Sequence, residues 1–109
     1  MNISNCNLQG KELKRITKHQ AHLLWFDIEN PNDVNVYLQF FDEAPENLTL
    51  GSTPPYLSFT VRANSNRSMV YTNSAAPTFI KSLTYVITTE AGGSSHPASY
   101  CKVQCGYTK

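Results

Sequence analysis

Between residues 22 and 107 the chain alternates apolar and polar residues again and again, and that rhythm restricts it to extended structure. In a strand successive side chains leave opposite faces, so a two-residue period assigns one face to the core and the other to the outside. In HLLWFDIEN (22–30) the alternation puts Leu24, Phe26 and Ile28 on one face, with Leu23, Trp25, Asp27 and Glu29 on the other. In VNVYLQFFD (34–42) Val34, Val36, Leu38 and Phe40 point one way, and Asn35, Tyr37, Gln39 and Phe41 the other. The intervening ENPND supplies Pro and Asn for a short turn, so these two runs are expected to pair as a hairpin.

Further runs follow. YLSFTVR (56–62) directs Leu57, Phe59 and Val61 inward, ANSN (63–66) turns the chain, and RSMVYT (67–72) runs back. TFIKSLTYVITTE (78–90) gives one or two strands, and YCKVQCGY (100–107) closes the series. The connection EAPENLTLGSTPP (43–55) contains three prolines and a glycine and excludes a regular central strand, with Leu48 and Leu50 tucking it onto the body. Together with EAGGSSHPAS (90–99), it is expected to carry the chain from one sheet to the other. The predicted fold class is therefore all-β: an antiparallel, jelly-roll-like β-sandwich over residues 16–109. Residues 1–15 are polar, charge-mixed and without clear periodicity, and are expected to form a mobile N-terminal arm.

Composition agrees with one strand-rich domain. A chain of 109 residues buries about two-thirds of its unfolded surface. Charged residues make up only 16%, their place being taken by Asn, Ser and Thr, which suit turns and strands better than helix faces. The net charge of +1 offers no footprint for a polyanion, and the single basic cluster, KELKRITKH (11–19), is interrupted by Glu12. Neither nucleic acid nor membrane is expected as a partner. MNISNCNLQG lacks the apolar segment of a secretory signal, so synthesis in a cytosol is the expectation. The three Asn-x-Ser/Thr sequons, at Asn2, Asn47 and Asn66, are about what such a composition produces by chance.

Cys101 and Cys105 could be a metal grip, a redox pair or core. Four residues along a strand separate them by about 13 Å, too far for a disulfide or a shared metal. Cys101, Val103, Cys105 and Tyr107 then form an inward stripe, with Lys102 and Gln104 outside. Cys6 is expected to be reduced and exposed. His19 and His22 straddle a strand entry with no third ligand nearby, and His96 sits among serines without the oriented partners of a hydrolase. Asp42, Glu43 and Glu46 crowd one loop and read as solvated carboxylates. No catalytic residue, metal or cofactor is expected. The aromatic residues on the non-core face do stand out. Leu23, Trp25, Tyr37 and Phe41 would form a docking patch on the hairpin, unless the chain's own arm or a loop covers them. Lys11, Leu13, Lys14 and Arg15 on the arm are the other candidate partner contacts.

The run ENPNDVNVYLQFFDEAPENLTLGSTPPYLSFTV, with SLTYVITTEAGG and a closing strand ending Tyr-Thr-Lys, resembles a pattern in small structural proteins of tailed phages. That pattern sets a YLxxFD-like strand before an APxxxxLG[ST]xxP connection, and the similarity covers roughly residues 20–109. The glycine expected before Leu83 is missing, and Cys101 and Cys105 are unusual for the last strand. The resemblance implies a jelly-roll-like sandwich on the virion, as a capsid decoration or cement protein. Its implied partners are the major capsid protein and further copies of itself, with a trimer as the expected form. A tail, fibre or head-completion component is the nearest alternative, and a carbohydrate-binding jelly roll stacking a sugar on Trp25 or Tyr37 is a third.

Overall fold

The computed structural model describes residues 2–8, 13–18, 20–72, 74–93, 95–99 and 101–108. Nine strands form among them: β1 (Asn2–Leu8), β2 (Lys14–Thr17), β3 (Ala21–Asn30), β4 (Val36–Phe41), β5 (Leu57–Val61), β6 (Ser65–Val70), β7 (Thr78–Phe79), β8 (Leu83–Thr88) and β9 (Cys101–Thr108). One sheet has the order β1-β9-β3-β6, with the two-residue β7 pairing the start of β3; the other has the order β2-β8-β4-β5. Every pairing is antiparallel. With β7 set aside, two four-stranded sheets wound in this order are a jelly roll, in which consecutive strands mostly alternate between layers.

The core lies between the layers. The β3 sheet contributes Ala21, Leu23, Phe26, Ile28, Phe79, Cys101, Val103, Cys105 and Tyr107; the β4 sheet contributes Val36, Leu38, Phe40, Val61, Leu83, Tyr85 and Ile87. Phe26, Phe40 and Phe59 meet as tilted or edge-on rings at its centre, with centroids 4.7–6.3 Å apart. The thiols of Cys101 and Cys105 are buried and unbridged, as the inward stripe on β9 required.

Four expectations are corrected. First, β3 and β4 do not form a hairpin: they belong to opposite sheets, and ENPND is a corner. Asn30 makes that corner. Its side chain is buried, and Nδ2 donates to the carbonyls of Val34, Val61 and Arg62, while Oδ1 accepts from Asn32 N–H. Asn32 in turn donates to Ser99 O and accepts from Ser99 N–H, tying the corner to the β8–β9 connection. Val34, assigned to the core, lies in this corner and is exposed.

Second, the 43–55 connection stays within one sheet, because β4 and β5 pair directly. Of the two long connections expected to cross between sheets, only the second, between β8 and β9, does so. Third, the stretch set apart as an arm, residues 1–15, carries β1 and the first half of β2. β1 runs along β9 from Asn2↔Tyr107 to Leu8↔Cys101, and β2 pairs with β8.

Fourth, Leu23 is inside and Leu24 is not. The register of β3 against β9 slips between Leu23↔Tyr107 and Trp25↔Gly106, so Leu24 is the extra residue of a bulge. The inward set is Ala21 and Leu23 before the slip, then Phe26 and Ile28 after it.

Candidate functional site

The residues expected to make one docking patch are dispersed. Leu23 is 0% exposed in the core, and Phe41 is 2% exposed. Trp25 and Tyr37 are both half-buried, but they sit on opposite sheets. On the β4 sheet the non-core side is closed by the chain itself. Gln39, Thr84, Val86 and Thr88 are all buried there. Gln39 donates to the Thr88 hydroxyl and accepts from Gly92 N–H, Thr88 donates to Glu90 O, and Thr84 donates to Glu43 O. The loops after β4 and β8 are thereby pinned to this face. A buried Gln and two buried Thr are tolerable because each polar group has a partner.

Among the arm residues, Arg15 pairs with Glu46 at 3.2 Å and Leu13 is half-buried. The Arg15–Glu46 pair is largely exposed on the Glu46 side and contributes little to stability. Lys14 belongs to β2 opposite Tyr85, with its side chain outside the described residues; Lys11 lies outside them altogether. The side chain of Cys6 and all of His19 also fall outside.

Several of the titratable groups are engaged in structure. His22 Nδ1 is 3.0 Å from the Thr78 hydroxyl, and His96 Nδ1 donates to Ile87 O at 3.1 Å, fastening the GGSSHP loop to β8. Asp42 Oδ1 accepts from the N–H groups of Lys81 and Ser82. Glu43 bonds Ala44 N–H and Lys81, and these hydrogen bonds hold its carboxyl below the usual range. Burial pushes the Cys101 thiol up to about 11, against a smaller opposing effect from the Asn32 amide. No group of three or more His, Cys, Asp or Glu able to hold a metal occurs among the described residues.

The non-core face of the β3 sheet is built differently. The β9 position beside Trp25 is Gly106, and a methyl there would strike Nε1, Cε2 and Cδ1 of the indole, at 2.7 Å from Cε2 and 2.8 Å from Cδ1. The pyrrole end of the ring therefore lies across β9 in the space a side chain would fill. On its other flank Trp25 faces Val70, which is 79% exposed. The next row holds Gln104, Asp27 and Ser68, with Ser68 Oγ donating to Asp27 Oδ1 at 2.7 Å. The row beyond holds Lys102, Glu29 and Asn66. Reading the sequence marked Trp25 but not its seat; the signal was the glycine interrupting the YCKVQCGY strand. Comparison with family models, curated proteins and solved structures returned no match.

Proposed function

We propose that this chain is a non-enzymatic structural protein of a tailed-phage virion, decorating the capsid and bridging neighbouring major capsid subunits, as a trimer. Two things support the reading: the phage-like strand-and-turn pattern over residues 20–109, and the jelly-roll winding that this pattern implied. The winding carries more weight, because jelly rolls recur in viral capsid proteins. The inference is by analogy of fold, since one fold hosts many functions.

The mechanism would be adhesive. A stiff two-layer slab presents exposed apolar residues, among them Tyr56 and Ile80, which both adjoin Phe79 at one end of the sandwich. Modest contacts of this kind, repeated over many copies, sum by avidity. Mass spectrometry of purified particles with copy-number quantitation tests the reading. Hundreds of copies per particle support capsid decoration, a few indicate a tail, fibre or head-completion position, and none defeats it.

A further inference from the structure

We propose that the outer face of the β3 sheet is a binding platform for a neutral oligosaccharide, with the Trp25 indole as the stacking surface for one pyranose ring. The inference does not depend on a place in a virion; it rests on how the ring is seated and what surrounds it.

Seating comes first. With Gly106 beneath it, the indole lies over the strand rather than standing up from the sheet. The pyrrole end of the ring packs against β9 at Gly106 and the residue as a whole is half-buried, so the proposal gives the sugar the π-face turned away from Gly106. Among the described residues no hydrogen-bond partner of the indole N–H is found. A ring held this way loses little freedom on binding, which lowers the cost of association. A pyranose presents a face of C–H groups carrying partial positive charge, which suits the electron-rich face of an indole. Its hydroxyls project around the rim in the plane of the sugar.

The surroundings match that rim. Asp27 and Gln104 stand in the adjoining row, about 7 Å along the strands from Trp25. A carboxylate accepts and a primary amide both donates and accepts, the complement that vicinal hydroxyls need. Ser68 holds Asp27 in place, while the Gln104 amide has no hydrogen-bond partner among the described residues. Glu29, Lys102 and Asn66 extend the same chemistry one row further, toward a second sugar unit.

Other occupants fit less well. A protein partner needs roughly 800 Å² on each side, with charge depleted at its centre. Among the described side chains of the paired rows on this face the apolar island is one indole and Val70, and Asp27 adjoins it. A nucleic-acid base would stack on the ring, but the charged residues of β3, β6 and β9 on this face are Asp27, Glu29 and Lys102, an excess of carboxylate that repels phosphate. The sequence of β1, NISNCNL, adds no basic residue.

The chain has a single tryptophan, so its own fluorescence reports on the site. The full chain is titrated with maltohexaose, cellohexaose, chitohexaose and a β-galactan oligosaccharide, and with a single-stranded DNA oligonucleotide as the charged alternative. At least one hexasaccharide should shift or quench the emission saturably. By calorimetry, Trp25→Ala should weaken that binding more than about tenfold. The double variant Asp27→Ala/Gln104→Ala, which leaves the ring in place, should weaken it as well. Tyr37→Ala, on the opposite sheet, should leave it unchanged. The proposal is overturned if no sugar in the panel binds at millimolar concentration, if Trp25→Ala binds as tightly as the parent, or if the DNA alone binds. It is also overturned if Trp25→Ala abolishes association with particles while no sugar binds, since the ring would then serve a protein contact. Loss of the virion reading in the particle experiment leaves the sugar titration unaffected, so the two fail separately.

Discussion

Asn30 shows how much one polar side chain can decide. It occupies the last position of β3, where the alternation calls for a core residue, and it is only 2% exposed. Its amide serves three carbonyls from two different segments, so it welds the β3–β4 corner to the end of β5. Replacing it with alanine removes those donors without letting water reach the buried acceptors. Asn30→Ala should therefore cost about 3 kcal/mol, seen as a lower urea midpoint with an unchanged slope. A loss below about 1 kcal/mol would mean that the corner is held by its backbone alone. Cys101 makes a second prediction at this scale. Its thiol titrates near 9.0 when unfolded and is pushed up to about 11 when buried. Between those values the unfolded chain releases the proton while the native chain keeps it, so the native state loses ground as pH rises. Below that window the stabilisation is complete. The urea midpoint of the parent should thus fall more steeply above pH 9 than that of Cys101→Ala, and parallel curves would refute the assignment.

Elements are where reading the sequence and folding it part company. Most strands were legible, because alternation reports which residues share a face: Val36–Leu38–Phe40, Leu57–Phe59–Val61 and Cys101–Val103–Cys105–Tyr107 all turn inward as expected. Alternation says nothing about which strand lies alongside. β3 and β4 have compatible patterns and a short turn between them, yet the buried hydrogen bonds of Asn30 and Asn32 send β4 into the other layer. Nor does the pattern reveal a single inserted residue, since HLLWF can be read in either phase. The bulge at Leu24 decides that phase, and with it the fate of Leu23 and of the expected patch. A deletion experiment separates the two readings. Removing Leu24 leaves Ala21, His22, Leu23, Trp25, Phe26 in strict alternation with the observed inward residues still inward. That variant should fold, losing chiefly the Leu24 O bond to Tyr71 N–H and roughly 1 kcal/mol. Removing Asp27 instead puts the two halves of the strand out of phase across the core, and that variant should not fold. Circular dichroism with thermal melts of the two deletions checks this; equal damage from both would show that Leu24 is no spare residue.

At the scale of the whole molecule the winding makes the two chain ends neighbours. β1 covers the outer edge of β9, from Asn2 beside Tyr107 to Leu8 beside Cys101, while β3 covers the inner edge. β9 therefore closes between β1 and β3, which lie far earlier in the sequence, and this layer can be completed only once residues as far as 108 are present. Such distant pairing predicts refolding on the millisecond-to-second scale rather than in microseconds. It also gives the N-terminal segment a role that an arm would not have. Without β1, the strand carrying Cys101, Val103 and Cys105 would present a row of unpaired N–H and C=O groups at the rim of the sheet. Open edges of that kind recruit other chains. A variant lacking residues 1–8 should therefore melt at a lower temperature than the parent. It should also associate with increasing concentration in size-exclusion chromatography with light scattering. Adding back a peptide of sequence MNISNCNL should reverse that association by refilling the edge, in the manner of strand addition. If the truncated chain instead melts like the parent and shows the same mass at every concentration, β9 does not need that neighbour, and the first eight residues are an appendage of the sandwich rather than part of it.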